Sequence, residues 1–189
     1  NAETRLPQHT RLGLITDFGT CDDGQRWAVD TIDSWDVSAI VTAGDNTQNE
    51  PTCTPFEESV WSFFDPGATG SGNPPFWPTP GNHDYTDPGA GLAAYQQAFP
   101  YLSKQADPQQ RWYTESLGAV RIFVVDTEVT GEELETQRVW LKGALRASRR
   151  ADPRVWNVVL LHRPPYSSGV HGAADTWRPS GGWRYADWG

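Results

Sequence analysis

Short apolar runs alternate along the chain with longer stretches whose apolar residues recur at helical spacing. Three of the runs are rich in β-branched residues. They cover residues 12–16, 38–43 and 155–161, and runs of this kind predict buried strands. After the first run, Asp22 and Asp23 suit the capped, acidic start of a helix, and Ala28, Ile32 and Trp35 mark its apolar face. The order strand, helix, strand predicts an α/β fold.

Caps, turns and periodicity predict the remaining elements. Thr54 suits a capping position, with Pro55 and Glu57 in the first turn, so a helix should run from there to about residue 64. Residues 76–80 predict only a short extended segment, because their prolines limit strand pairing. Periodicity and turn residues also predict helices over about 91–99 and 133–149, and antiparallel strands over 111–114 and 120–125.

Residues that suit a metal site directly follow the predicted strands. In chain order they are Asp17, Asp45, Asn82 with its neighbours His83 and Asp84, and His162. Adjacent Asn and His would place a neutral oxygen ligand beside a proton donor, and the next Asp could orient the imidazole. Because ligands in open α/β sheets gather beyond the carboxyl ends of the strands, we expect all these groups to converge at one rim.

Taken together, these motifs resemble the binuclear metallophosphoesterases of the calcineurin-like superfamily, and in particular the purple-acid-phosphatase-like branch. The matching pieces are Asp17-x-Gly19, Gly44-Asp45-Asn46, Gly81-Asn82-His83-Asp84, His162 and His171. Ordered motifs at strand ends are more specific than any one of them alone. The resemblance covers about residue 11 to the end, and it implies an αββα sandwich with two mixed sheets. A length of 189 residues by itself suits a single domain over residues 1–189.

The resemblance also implies a ligand set for two metal ions. Asp17 would hold the first metal, Asp45 would bridge both, and Asn82 with His162 would hold the second. Oxygen and imidazole donors of this kind fit Fe, Mn or Zn. Asp126 ends one of the predicted strands, and we interpret it as structural.

The reaction implied is hydrolysis of a phosphomonoester by metal-bound hydroxide, with His83, Asp84 and His171 as catalytic residues. His83 would donate a proton to the leaving group or stabilise its charge. His171 would help to hold the phosphate, although a histidine in a Gly-rich loop is equally well an exposed side chain. A phosphodiesterase or nucleotidase activity is an alternative, because the metal ligands do not indicate which leaving group the enzyme accepts. A non-catalytic relative with a decayed metal site stays open as well.

Three departures from the resembled family bear on activity. Gln48 replaces the tyrosine that ligates iron in purple acid phosphatases, so the protein should not be purple, and Gly172 replaces a second imidazole. The family's last motif, Gly-His-x-His, is absent, and residues 183–189 resemble the segment that precedes it. We therefore expect a domain that lacks its C-terminal part, and weak metal binding and doubtful activity for these residues alone.

Charge and hydropathy narrow the choice of partners. The net charge of −9 argues against a nucleic-acid or anionic-membrane surface. An acidic protein that handles phosphate esters needs local positive potential, which bound metals would provide. The chain has no apolar stretch near the roughly 20 residues that span a bilayer. A small phosphate ester is thus the expected partner, and the oligomeric state is not indicated.

The two cysteines and the first residue suggest export. The chain starts at Asn1 and contains no Met, as expected of a processed product or a fragment. Cys21 and Cys53 follow the first two predicted strands by similar distances. A disulfide between them would close a loop of about 33 residues and stabilise the fold by roughly 3–4 kcal/mol. Two buried free thiols are the alternative, and we favour the disulfide and an extracellular or periplasmic protein.

Overall fold

Six strands and four helices make up the part of the chain that a computed structural model describes, residues 10–48, 53, 56–64, 74–85, 92–102 and 104–164. The strands are β1 (Leu12–Ile15), β2 (Ala39–Thr42), β3 (Phe76–Trp77), β4 (Tyr113–Leu117), β5 (Val120–Val124) and β6 (Trp156–Leu160). The helices are α1 (Asp23–Asp33), α2 (Ser62–Phe64), α3 (Leu92–Ala98) and α4 (Gly131–Ala151). A π-helical segment (Glu57–Trp61) leads into α2, and His83–Tyr85 form a single 3₁₀ turn.

The first sheet has the order β1-β2-β3, and its strands run parallel. β2 is buried along its whole length, as its apolar sequence predicts. β3 pairs with it through only two residues, Phe76 and Trp77, which agrees with the proline-limited segment expected there. Because the strands are parallel, their carboxyl ends lie at one edge of the sheet.

The second sheet has the order β4-β5-β6. β4 and β5 form an antiparallel hairpin in which Leu117 pairs with Val120, while β5 and β6 are parallel. β6 therefore delivers the residues that follow it to the edge where β5 also ends. The predicted antiparallel pair is confirmed, although β4 starts at Tyr113 and extends further toward the turn than the pattern suggested.

Both sheets contribute to one hydrophobic core. Its buried members include Ile15, Ile40, Val41, Phe76, Tyr113, Ile122, Val124 and Leu160. The opposite face of β5 turns Phe123 toward Leu141 of α4, with Val125 beside them, as expected from the alternation of side chains along a strand. The predicted α/β fold with two sheets is thus confirmed. Of the described strands, those of the first sheet are all parallel and only the second sheet is mixed.

Trp35 and strand β6 are more exposed than the sequence predicted. Trp35 is 51% exposed, because α1 ends at Asp33 and the residue lies beyond the apolar face of the helix. β6 was expected to be buried, yet Trp156 is 73% exposed and Val159 is 37% exposed in the described part of the chain. β6 is the outer strand of its sheet there, and a hydrophobic run by itself does not reveal that position.

The start of α1 forms as the sequence predicts. Asp22 is the N-cap, and its Oδ1 accepts a hydrogen bond of 2.9 Å from the backbone N–H of Gln25. That bond holds the pKa of Asp22 below its usual value. The helices predicted over about 91–99 and 133–149 are found within about two residues of their expected ends, as α3 and α4. The helix predicted from Thr54 to about residue 64 is mainly π-helical, followed by the three residues of α2, and Thr54 itself lies outside the described residues.

A disulfide joins Cys21 to Cys53, with 5.7 Å between their Cα atoms. It ties the loop after β1 to the segment after β2, and Cys53 is fully buried. The alternative of two free thiols is therefore set aside.

Every helix in the described residues is too short or too polar to pass through a bilayer.

Replacing both bridged residues, as in Cys21→Ser with Cys53→Ser, should lower the free energy of unfolding by roughly 3–4 kcal/mol, because the open chain regains loop entropy when unfolded. Urea denaturation of the variant and of the oxidised parent measures the difference. A variant with the midpoint of the parent would contradict this expectation, and denaturation of the reduced parent is the matched control.

Candidate metal centre

Two aspartates lie in strained loops at the carboxyl ends of neighbouring strands. Asp17 follows β1 with φ of 54°, and Asp45 follows β2 with φ of 52°. Both values are in the left-handed region, which Asp tolerates better than most residues but which still costs energy. Such conformations persist where the surrounding structure imposes them, and they concentrate at functional sites.

The carboxylate of Asp17 is exposed but oriented. The Thr16 hydroxyl donates to Oδ2 of Asp17 over 2.6 Å and lies 3.2 Å from the Ala43 carbonyl oxygen. The backbone N–H of Asp17 donates to the Gly44 carbonyl over 3.1 Å. These bonds connect the two loops directly, so Asp17 is held in place relative to the loop of Asp45.

The carboxylate of Asp45 is buried and faces two histidines. Its Oδ1 accepts a 2.9 Å hydrogen bond from the His83 backbone N–H. Its Oδ2 lies 3.4 Å from Nε2 of His162 and 3.9 Å from Nε2 of His83. Partial burial raises the pKa of Asp45, but the hydrogen bonds from His162 and from the His83 backbone outweigh that effect and hold it below its ordinary value. Asp45 is therefore ionised at neutral pH.

The imidazole of His162 reaches the same point from the second sheet. Its Nδ1 lies 2.9 Å from the Ala43 carbonyl oxygen, which can only accept, so Nδ1 carries the hydrogen and donates. Its Nε2 lies 3.1 Å from Oδ1 of Asn82. Burial lowers the pKa of His162, while its bond with Asp45 raises it, and the result is about 9. Without a metal the ring is therefore protonated at neutral pH. Because Nδ1 is bonded to Ala43, Nε2 is the ring atom that would release its proton and bind a metal.

Two glycines allow this close approach. A Cβ on Gly44 would lie 2.6 Å from Cβ and Cγ of His162, and its φ of 94° also suits glycine. A Cβ on Gly81 would collide with the backbone nitrogen and carboxylate of Asp45. Any side chain at Gly44 or Gly81 would therefore collide with a candidate ligand.

Three potential ligand groups come together within a single coordination sphere. The ligand atoms of Asp17, Asp45 and His162 all lie within 4.8 Å of one another, and Asn82 joins them through its contact with His162. Two carboxylates, an amide oxygen and an imidazole suit a divalent or trivalent ion. His83 stands at the edge of this group with its side chain 39% exposed, where a substrate could reach it.

Asp84 occupies a fully buried position beneath the loop. Its carboxylate accepts hydrogen bonds from the backbone of Gly81 over 2.8 Å, from the backbone and side chain of Asn46 over 2.9 and 2.8 Å, and from Thr47 over 3.2 Å. Burial raises its pKa to about 7, although the bonds from Gly81 and Asn46 oppose the shift. These contacts join the loop of Asn82 to that of Asp45. The expectation that Asp84 orients the His83 imidazole stays a prediction.

Some residues around the site were missed or undervalued in the sequence. Thr16 orients Asp17, Asn46 bonds to Asp84, and Tyr85 donates to Asp126. Asn46 was recognisable as part of its motif, but its partner is 38 residues away, and no local pattern reports such a contact. His171, the predicted phosphate ligand, lies outside the described residues.

A comparison with protein families matches this architecture. The chain belongs to the calcineurin-like phosphoesterase family, whose model matches residues 10–185. The motifs at the carboxyl ends of β1 and β2, the residues after β3 and the histidine after β6 all fall within that range. A comparison with curated protein sequences gives no significant match.

Among solved structures, the fold is similar to that of the purple acid phosphatase PPD1 from yellow lupin (Lupinus luteus) seeds. The TM-score is 0.59 and the sequence identity is 20%. The match covers 85% of this chain and 32% of the lupin chain. This likeness supports the fold, and the chain spans about a third of the length of the protein that it matches.

Adding a methyl group at Gly44, as in Gly44→Ala, should displace His162 and weaken metal binding by at least about tenfold, because the imidazole already fills that space. Calorimetric titration with Zn²⁺ measures the affinity. Gly131→Ala is the matched control, since Gly131 also has a positive φ, of 58°, but a Cβ there would meet nothing within 4 Å. The control should lose about 1 kcal/mol of stability and keep its metal affinity. Equal affinities in the two variants would contradict the steric explanation.

Proposed function

We propose that this protein hydrolyses phosphomonoesters with two bound metal ions. The observation that carries the proposal is the convergence of Asp17, Asp45 and His162 within 4.8 Å, at the carboxyl ends of strands from two sheets. Membership of the calcineurin-like phosphoesterase family supports phosphoester hydrolysis in general. The monoester is the more specific part of the proposal.

Asp17 would hold the first metal, Asp45 would bridge the pair, and Asn82 with His162 would hold the second. The donor chemistry fits, because the carboxylate of Asp45 is ionised and Nε2 of His162 faces it. Bound metals of this type, Fe, Mn or Zn, neutralise phosphate oxygens and make hydroxide available at moderate pH. Thr16 fixes the orientation of the Asp17 carboxylate through its 2.6 Å bond.

His83 would act at the leaving group. Its backbone N–H is bonded to Asp45, which fixes the residue beside the centre, and its partly exposed imidazole can meet a bound ester. From there the ring can donate a proton to the departing oxygen or stabilise its charge. Asp84, by holding the loop, would keep His83 at that distance. His171 would contribute to phosphate binding.

The charge of the chain supports a small substrate. A net charge of −9 argues against binding of nucleic acid. The carboxylates of Asp17 and Asp45 would repel a phosphate dianion unless metal cations lay between them and the substrate. A small phosphate ester bound through metal ions agrees with both observations.

The disulfide between Cys21 and Cys53 supports an extracellular or periplasmic protein.

Removing a direct ligand should abolish the activity. Asp17→Ala in the complete gene product should reduce phosphate release from an aryl phosphate by at least ~10²-fold, because loss of even an outer partner of a ligand costs 10- to 100-fold. Asp36→Ala is a matched control: Asp36 is also exposed and has φ of 50°, but lies at the amino end of β2. Undiminished turnover in Asp17→Ala, or equal loss in both variants, would refute the assignment.

Metal removal tests the same proposal by another route. Dialysis against a chelator should abolish hydrolysis, and readdition of Fe, Mn or Zn should restore it, because the protein groups alone leave the phosphate charge uncompensated. Elemental analysis should find two metals per chain, whereas a decayed site would hold fewer.

Hydrolysis rates on an aryl phosphomonoester and on the matching diester separate a monoesterase from a diesterase. We expect the monoester to react faster, and a faster diester reaction would refute the monoester assignment.

A further inference from the structure

One short loop after β5, residues 126–128, contacts residues next to both sides of the proposed metal centre. Tyr85, at the end of the 3₁₀ turn that contains His83, donates its hydroxyl hydrogen to Oδ2 of Asp126. Arg163 directly follows His162 in the chain, and its guanidinium pairs with the Glu128 carboxylate over 2.5 and 3.0 Å. We name residues 126–128 the β5 loop.

The β5 loop is itself fixed to helix α4. The backbone N–H of Asp126 donates to Oε1 of Gln137 over 2.7 Å, and the Gln137 amide donates back to the Asp126 carbonyl over 2.9 Å. Both residues are fully buried. The remaining oxygen of the Asp126 carboxylate accepts from the Glu128 N–H over 2.8 Å. The loop therefore offers a rigid surface on which other segments can be positioned.

The contact between Tyr85 and Asp126 joins a partly buried hydroxyl to a fully buried carboxylate. Burial raises the pKa of Tyr85, and the Asp126 charge raises it further, so Tyr85 keeps its proton and donates it. Burial also raises the pKa of Asp126 to about 7, although the bond from Tyr85 opposes this shift. Arg111, which is held by Asp107 and Glu133, also favours the charged form of Asp126. The bond therefore fixes the position of the Tyr85 side chain relative to Asp126.

The second contact holds the segment that follows His162. Besides the ion pair with Glu128, the backbone N–H of Arg163 donates to the Thr127 hydroxyl over 3.3 Å. The pair is partly buried, with side chains 24% and 17% exposed, so solvent screens it less than a surface pair. The chain direction immediately after His162 is thus set by the β5 loop.

We propose that the β5 loop is a positioning brace for the half of the centre formed by Asn82 and His162. These residues belong to segments that follow strands of different sheets, and their side-chain atoms lie 3.1 Å apart. Tyr85 connects one segment to the brace and Arg163 connects the other. The brace thereby sets the separation of Asn82 and His162, and the position of His83, which follows Asn82 in the same segment. This inference rests on the proposed function, because it assigns the two residues to one metal.

The test uses Tyr85→Phe and Glu128→Gln in the complete gene product, and both changes keep the shape of the side chain. The first removes the hydroxyl that donates to Asp126. The second removes the charge of the ion pair with Arg163 and leaves the bond from the Arg163 backbone to Thr127. In crystal structures of the metal-free variants, the 3.1 Å separation should change by more than about 0.5 Å, the tolerance of a productive site. Calorimetric titration with Zn²⁺ should show each variant to bind the second equivalent about tenfold more weakly. The double variant should lose less Zn²⁺ affinity than the product of the two single fold-losses, because both connections act through one loop.

Matched controls separate positioning from general stability. Tyr101→Phe removes another partly buried hydroxyl, which donates to the Phe76 carbonyl over 2.9 Å. Glu135→Gln breaks another two-bond pair, with Arg138, at 2.7 Å for each bond. Both controls should keep the separation and the Zn²⁺ affinity of the parent, even where their melting temperatures fall as far as those of the test variants.

Each outcome decides the proposal. The brace is overturned if Tyr85→Phe and Glu128→Gln keep the parental separation and affinity, or if the controls lose affinity equally. A parent that binds two metals but releases no phosphate would refute the proposed function and leave the brace standing. A parent that hydrolyses phosphate esters, with variants whose geometry is unchanged, would refute the brace alone. If the parent bound no metal, the crystallographic separation would still decide for or against the brace.

Discussion

The candidate centre depends on one close approach, that of the His162 imidazole to the loop after β2. The ring comes from the second sheet, donates through Nδ1 to the Ala43 carbonyl and faces the Asp45 carboxylate through Nε2. Only the missing side chain of Gly44 leaves room for it. This contact joins the carboxyl ends of the two sheets at the candidate centre, while Asp17 is held beside the Asp45 loop by bonds within the first sheet.

The same arrangement carries costs that the rest of the fold must offset. Asp17 and Asp45 both adopt left-handed backbone conformations, and strained positions of this kind cost about 1–3 kcal/mol each. Asp84 and Asp126 are fully buried, and burial raises the pKa of each to about 7. The shared core of the two sheets and the disulfide supply stability elsewhere. Of the five non-glycine residues with positive φ in the described part of the chain, Asp17 and Asp45 belong to the site, and the buried carboxylates of Asp84 and Asp126 lie along its supports. Local conflicts of this kind are expected at a functional centre.

Much of the fold could be predicted from local signals. The strands, the cap at Asp22 and the antiparallel hairpin follow from periodicity, capping chemistry and turn residues, all of which act within a few positions. Burial of individual strands was harder to predict. β2 is buried as expected, whereas Trp156 in β6 is largely exposed, because exposure depends on which strand lies at the edge of a sheet. That order is a property of the assembled chain.

The sequence by itself determined which residues could form the centre. Polar groups that follow parallel strands of one sheet lie at one edge, which predicted that Asp17 and Asp45 lie close together, and the ordered motifs added Asn82 and His162 as candidates. Only the tertiary structure decided how they are held: that Asp84 joins two loops, that Tyr85 reaches Asp126 and that Arg163 reaches Glu128. The physical reason is that strand direction is encoded by neighbouring residues. The bonds between Asn46 and Asp84, between Tyr85 and Asp126 and between Arg163 and Glu128 instead join residues 35 to 41 positions apart, and their meeting depends on how the whole chain packs.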